Sequence, residues 1–172
     1  MNDLILLAAL MGGPAYGYAL KKTAGLIFGH AALHNNIVYP SLQRFVRQGW
    51  VDLTIVPGDR GQRRKQYRIT AAGKQHLRNE LTAFSEQQAG DEMAFLLRVA
   101  FFDGLSPKPR ARIIAARKSF LAARAAELVQ LQDLARPRSF SRVALERVRQ
   151  RIGDELRWIR RLEHRLEGKT GG

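Results

Sequence analysis

The stretch His34–Trp50, "HNNIVYPSLQRFVRQGW", decides the fold. Its apolar residues Val38, Leu42, Phe45 and Val46 recur at helical spacing, with Asn36, Gln43, Arg44 and Arg47 on the other side. Pro40 sits inside this pattern. A proline in a helix interior costs about 3 kcal/mol, because it lacks an N–H and clashes with the preceding turn. The conflict eases if the helix starts at Asn35 or Asn36. Asparagine is a favoured N-cap, and Pro40 then falls at the edge of the first turn. Gly49 supplies the stop. The reading predicts a short helix with an exposed, polar N-terminal end carrying His34, Asn35 and Asn36.

Upstream, "LILLAALM" predicts a buried helix over about Asp3–Met11, because it is apolar almost all round. "GGP" breaks it. A second helix is expected over about Tyr16–Leu26, with Lys21 and Lys22 on its surface and "GLIFGH" as a loop. Downstream of Gly49 the period changes. "WVDLTIV" (Trp50–Val56) and "KQYRIT" (Lys65–Thr70) alternate as strands do, and "PGDRGQRR" between them is rich in turn residues. This is a two-stranded hairpin with a basic tip of Arg60, Arg63, Arg64 and Lys65. Thr70 can cap the helix that follows.

From Glu86 onward the pattern is helical. "DEMAFLLRVAFFDG" forms one segment ending at Gly104, with Ser106 as the next cap. A long helix is expected over about Lys108–Leu134. A last helix spans about Phe140–Leu166, with an apolar stripe of Leu145, Val148, Ile152, Ile159, Leu162 and Leu166. The stripe has one miss, at Glu155.

Net charge and composition narrow the partner. The chain carries +14, and each half contributes +7 (11 Lys/Arg against 4 Asp/Glu in 1–85, 18 against 11 in 86–172). Such a balance favours a polyanion. Cysteine is absent, which excludes disulfides and thiolate chemistry. No apolar run approaches the roughly 20 residues of a membrane span. The N-terminus lacks the basic n-region of a signal peptide, so a cytoplasmic protein is expected. His30, His34, His76 and His164 have no metal-ligand spacing, and no phosphate loop or Ser/His/Asp pattern rises above chance. No metal, no cofactor and no enzyme activity are expected.

Three helices followed by a basic hairpin is the order of a winged helix-turn-helix. A helix of the third one's size fits the major groove with its N-terminal residues at base edges. A basic wing can lay arginines along phosphates. The expected fold is therefore mainly α: a winged helix-turn-helix over 1–84 with a two-stranded wing, then an all-helical dimerisation domain over 85–172. The candidate DNA-binding residues are Asn35, Asn36, Tyr39 and Arg44 on the helix and Arg60, Arg63, Arg64 and Lys65 on the wing. Tyr39 is expected half-buried, and Tyr18 is expected in the core. One recognition helix per chain rarely gives regulatory affinity, whereas a two-fold dimer sets two of them about one DNA turn apart. Leu145, Val148, Ile152, Ile159, Leu162 and Leu166 are the candidate dimer interface. Part of that stripe must also pack within the chain, against the 108–134 helix. The alternative function is an architectural or protein-docking winged helix without an effector.

The blocks "LLAALMGGPAYGYALKK", "VYPSLQRFVRQGWVD" and "GQRRKQYRITAAGKQHL" resemble the signature blocks of PadR-like transcriptional regulators, in order and spacing. Matching residues include Gly13–Pro14, Gly17–Tyr18, Tyr39–Pro40–Ser41–Leu42, Gly49, Arg64–Lys65, Tyr67 and Thr70–Gly73. "FLLRVAFFDGLSPKPRARIIAARKSFL" looks like the helical C-terminal domain of the subgroup that includes phenolic-acid-responsive repressors. The resemblance implies a homodimeric repressor on palindromic double-stranded DNA, released by a small aromatic or phenolic effector whose binding residues are unknown. Two positions depart from the pattern. Asn35, Asn36 and Ile37 stand where Gly followed by Ser or Thr is common, and Ala19 stands where an acidic residue is frequent.

Overall fold

A computed structural model describes residues 2–28, 34–58, 62–134 and 139–168. Arg60, His30 and the turn residues Asp59 and Gly61 lie outside the described residues. The chain divides into two compact units. The first comprises 1–83 with 96–105, the second 84–95 with 106–172.

The first unit is built on α1 (Asn2–Ala9), which buries four consecutive residues, Leu4 to Leu7. It tightens into a 3-10 turn over Leu10–Gly12, so the α-helix ends sooner than its apolar run suggests. Strand β1 (Ala15–Tyr16) follows, then α2 (Gly17–Phe28). The residues Gly25–Phe28, expected in a loop, thus continue the helix. Helix α3 (Asn35–Arg47) buries Val38, Ser41, Leu42 and Phe45. Strands β2 (Val51–Pro57) and β3 (Arg63–Ile69) form the hairpin, paired from Val51↔Ile69 to Pro57↔Arg63. Helix α4 (Ala71–Thr82) closes the motif.

Two expectations about α3 need correction. Helix α3 begins at Asn35, as expected, but its N-cap is His34, whose side chain makes no capping bond. Pro40 therefore lies in the second turn, inside the helix, and not at the edge of the first. It removes the N–H that would bond the Asn36 carbonyl. Asn36 and Pro40 share the exposed side of the helix, where water can satisfy that carbonyl. The helix stop is as expected. Gly49 takes φ +70, where a Cβ is strained, and Trp50 N donates to Phe45 O at 2.9 Å.

Thr70 caps α4 as its position implies: its Oγ1 accepts from Gly73 N at 3.0 Å and donates to Gly49 O at 2.7 Å. The wing is longer than the alternating residues indicate, and Pro57, Arg63 and Arg64 belong to strands. A third strand, which no sequence pattern announces, joins them. Two-residue β1 pairs antiparallel with β3 (Ala15↔Tyr67, Tyr16↔Gln66), so the sheet order is β1-β3-β2. Buried Arg98 donates to Ala83 O at 2.8 Å and Glu80 O at 3.4 Å, satisfying carbonyls at the α4 C-terminus.

In the second unit, Ser85 and Gln88 form a reciprocal capping box for α5 (Glu86–Ala89). Asp91 Oδ1 accepts from Met93 N and Ala94 N at the start of α6 (Glu92–Val99). The segment expected to run helically to Gly104 ends its α-helix at Val99 and finishes in a 3-10 turn, Phe102–Gly104. Helices α7 (Pro107–Leu134) and α8 (Phe140–Gly168) form a long hairpin with Ile113, Ile114, Leu121, Leu128, Ile152 and Ile159 buried. The apolar stripe of α8 thus divides. Ile152 and Ile159 are buried within the chain, Leu145, Leu162 and Leu166 are half-covered, and Val148 is exposed.

The miss at Glu155 has a cause. Arg117 is buried, and it donates to both Glu155 oxygens, Nε at 2.7 Å and Nη2 at 2.8 Å. Its Nη1 donates to Ala89 O at 2.6 Å, and the guanidinium lies over the rings of Phe95 and Phe120. Trp158 meets Phe95 edge to face, with centroids 6.0 Å apart.

Candidate nucleic-acid interface

Helix α3 turns one face outward. Asn36, Tyr39, Pro40, Gln43 and Arg47 are exposed and recur every three or four residues along it. Asn35 is exposed at its start, with Oδ1 accepting from Lys21 Nζ of α2 at 3.0 Å. Arg44 lies off that face, two turns beyond Asn36 and rotated about 80° from it at 100° per residue. Its Nη2 bonds Asp3 Oδ2 of α1 at 2.5 Å, and Ser41 Oγ donates to the other Asp3 oxygen at 3.1 Å. Arg44 is thus drawn toward the core side of α3, away from the cluster it was expected to join.

Tyr39 sits where α3 meets the sheet. A cavity of about 330 Å³ there is lined by Tyr16, Tyr18, Tyr39, Tyr67, Arg64 and Lys65. Tyr16 and Tyr18 stack with rings nearly parallel, centroids 5.9 Å apart. Tyr18 is 62% exposed, so it is a surface ring and not the core aromatic expected; Tyr39 is 42% exposed. Tyr67 is buried, and burial raises its hydroxyl above the ordinary phenol range, with Tyr39 adding to the effect. Gly17 explains how Tyr39 fits. A Cβ there would stand 2.7 Å from Tyr39 Cε1, so only glycine admits the ring at this distance.

The structure thus brings Tyr39, Arg64 and Lys65 together and adds Tyr16, Tyr18 and Tyr67. Arg63 is exposed on β3 near the turn. Gln43 and Arg47 also join this surface. Neither is among the residues expected from sequence, although both lie on the polar side of the helical pattern. Tyr16 and Tyr67 carry no such signal, because the short β1–β3 pairing that seats them is nonlocal. Among the described residues, no group of three or more His, Asp or Glu could hold a metal ion, and no helix is long and apolar enough to cross a membrane.

Three helices, a two-stranded wing and an outward polar face on the third helix define a winged helix-turn-helix DNA-binding regulator. Residues 6–79 match the Transcriptional regulator PadR-like family. Similar solved structures include a transcriptional regulator from Clostridium thermocellum (25% identity over 45% of this chain and 76% of that one, TM-score 0.42). Another is the transcriptional regulator TA0346 from Thermoplasma acidophilum (27%, 60% and 88%, TM-score 0.44). A third is PadR from Bacillus subtilis in complex with operator DNA (20%, 93% and 94%, TM-score 0.44). No curated protein matches the chain.

Proposed function

We propose that this chain is a cytoplasmic, homodimeric repressor that binds a palindromic operator through α3 and the wing and is released by a small aromatic or phenolic molecule. The observation that carries the DNA reading is the continuous surface of Asn35, Asn36 and Tyr39 with Arg64 and Lys65. Asn36, Tyr39, Gln43 and Arg47 lie along the groove. Asn36 reads an adenine edge, and Arg47 reads a guanine or a phosphate. Arg44, held by Asp3, sets the attitude of α3. Arg63, Arg64 and Lys65, with Arg60, meet phosphates, and the tyrosine hydroxyls beside them add neutral donors to the same backbone.

The dimer brings two such surfaces onto one operator. Its interface draws on the part of the α8 stripe that the chain leaves open, Leu145, Val148, Leu162 and Leu166, together with exposed Phe140 and Val143. Ile152 and Ile159 support that helix from within. The effector rests on the likeness of the 95–121 region to phenolic-acid-responsive repressors.

The test is fluorescence anisotropy on an inverted repeat from a candidate promoter, with light scattering for oligomeric state. The full chain should scatter as a dimer and prefer the repeat over random duplex. The double variant Arg63→Ala/Arg64→Ala should bind all sequences more weakly and lower the salt slope by about one for each phosphate no longer neutralised. Asn36→Ala should instead relax discrimination at one base pair, by about 1–3 kcal/mol. An unchanged affinity and slope for the double variant removes the wing from the interface. A DNA-binding chain with no preference for any repeat favours the architectural reading.

A further inference from the structure

Strand β2 leaves one edge of its sheet open. The strand order is β1-β3-β2, so among the described residues β2 has a neighbouring strand on one side only. At the two ends of the hairpin, Gly58 N donates to Gln62 O at 2.7 Å and Thr70 N donates to Trp50 O at 3.0 Å. Bonded pairs alternate with non-bonded ones along an antiparallel ladder, and the register runs unbroken from Val51↔Ile69 to Pro57↔Arg63. Asp52, Thr54 and Val56 therefore turn their N–H and C=O groups toward β3. Val51, Leu53 and Ile55 turn theirs to the open edge.

The usual guards of an edge strand are a bulge, a lysine or a proline within the strand. β2 has no bulge and no Lys or Arg, and its proline is its last residue. Leu53 and Ile55 are 39% and 54% exposed, and both stand on the face of the strand that buries Val51. Asp52 is the one charge of the strand, and Arg68 of β3 stands opposite it in the register.

We propose that the open edge of β2 pairs with the same edge of a second copy of this chain, antiparallel, about a two-fold axis at Thr54. In that register Leu53 stands opposite Ile55 of the second copy, and Ile55 opposite its Leu53. Each pair exchanges both backbone hydrogen bonds, since these residues present both groups outward. A two-fold at Leu53 would set Ile55 opposite buried Val51, and one at Ile55 would set Leu53 opposite Pro57, which has no N–H. The axis at Thr54 instead matches the two exposed apolar residues to each other. The two Thr54 side chains meet on the other face, a favourable cross-strand pair. Asp52 falls opposite Val56, so no like charges oppose each other along the paired edges. Such a self-match is an isologous interface, and it joins two three-stranded sheets into one. It uses neither α3 nor the α8 stripe, so it is independent of the DNA reading and links one proposed dimer to the next.

The chain has no cysteine, so a single introduced one reports the register. In full-length Thr54→Cys the two Cα atoms should lie about 4.5 Å apart across the axis, within disulfide reach. Mild oxidation should then give a chain-to-chain cross-link on a non-reducing gel. Asp52→Cys and Val56→Cys should each stay unlinked alone, since like positions lie about 13 Å apart along the strands, and should link when mixed. Adding Ile55→Lys, at an exposed position, should slow the Thr54→Cys link at least about tenfold, with folding checked by thermal melting. Adding Val148→Glu, in the α8 stripe, should leave the link unchanged. Linking at Thr54→Cys no faster than at the two single controls overturns the proposal, whether the edge is empty or taken by a different protein. A link that survives Ile55→Lys also overturns it, and if Val148→Glu removes that link, it belongs to α8.

Discussion

Two arginine–carboxylate pairs, one in each unit, join helices at similar sequence separation. Arg117 reaches Glu155 across 38 residues, and Arg44 reaches Asp3 across 41. Their side-chain exposures are 4% and 17% for the first pair, 41% and 46% for the second. In the second unit the guanidinium is out of water, bidentate on Glu155, bonded to Ala89 O and covered by aromatic rings. In the first unit the pair faces solvent and shares its carboxylate with Ser41. Breaking a buried pair leaves an uncompensated charge, whereas water replaces an exposed partner at little cost. One pair is therefore a condition of folding for the α7–α8 hairpin. The other tunes how α3 is held and leaves its stability nearly alone.

The largest test of that contrast is Glu155→Ala. Stranding Arg117 should cost about 3–5 kcal/mol, read by urea denaturation as early unfolding of the second unit. Replacing both partners, Arg117→Met with Glu155→Leu, should recover most of that stability, because the penalty comes from the stranded charge. A cost below about 1 kcal/mol for Glu155→Ala would erase the distinction between the two pairs.

An intermediate benchmark lies in the first unit. Thr70→Ala removes an N-cap acceptor from Gly73 N and a donor to Gly49 O, and should cost about 1 kcal/mol by the same denaturation measurement. It calibrates what one half-exposed polar group is worth in the winged helix.

The smallest effect belongs to Asp3→Ala. The Arg44 pair should contribute less than about 1 kcal/mol, and its contribution should shrink further in about 1 M salt. A double-mutant cycle for Arg44 and Asp3 run at low and high salt sharpens the comparison, since the Arg117–Glu155 coupling should barely respond to salt. If Asp3→Ala unfolds the first unit as readily as Glu155→Ala unfolds the second, exposure is not what separates them.

Local signals in the sequence are enough for the elements whose cause is local. The apolar period of Val38, Leu42 and Phe45, the left-handed Gly49, the Thr70 cap and the alternation of the wing each act over a few residues. Each takes the structure that its pattern implies. The PadR-like blocks likewise share one continuous stretch with the winged helix. Pro40 marks the limit of local reasoning. Its penalty in a helix interior is real, but the second-turn placement is tolerated because the missing bond falls on a face open to water.

Tertiary structure decided what depends on partners far along the chain. Nothing near Glu155 announces Arg117, and nothing near Arg44 announces Asp3, so a gap in a stripe and a surface arginine each took their meaning from another helix. The β1–β3 pairing and the absence of a Cβ at Gly17 seat the tyrosines beside Arg64 and Lys65. Periodicity reports which side of a helix is apolar, because that is fixed by 3.6 residues per turn. It does not report which half of an apolar stripe is filled by the same chain, nor which cation finds a carboxylate, because those depend on distances that exist only after the helices have packed.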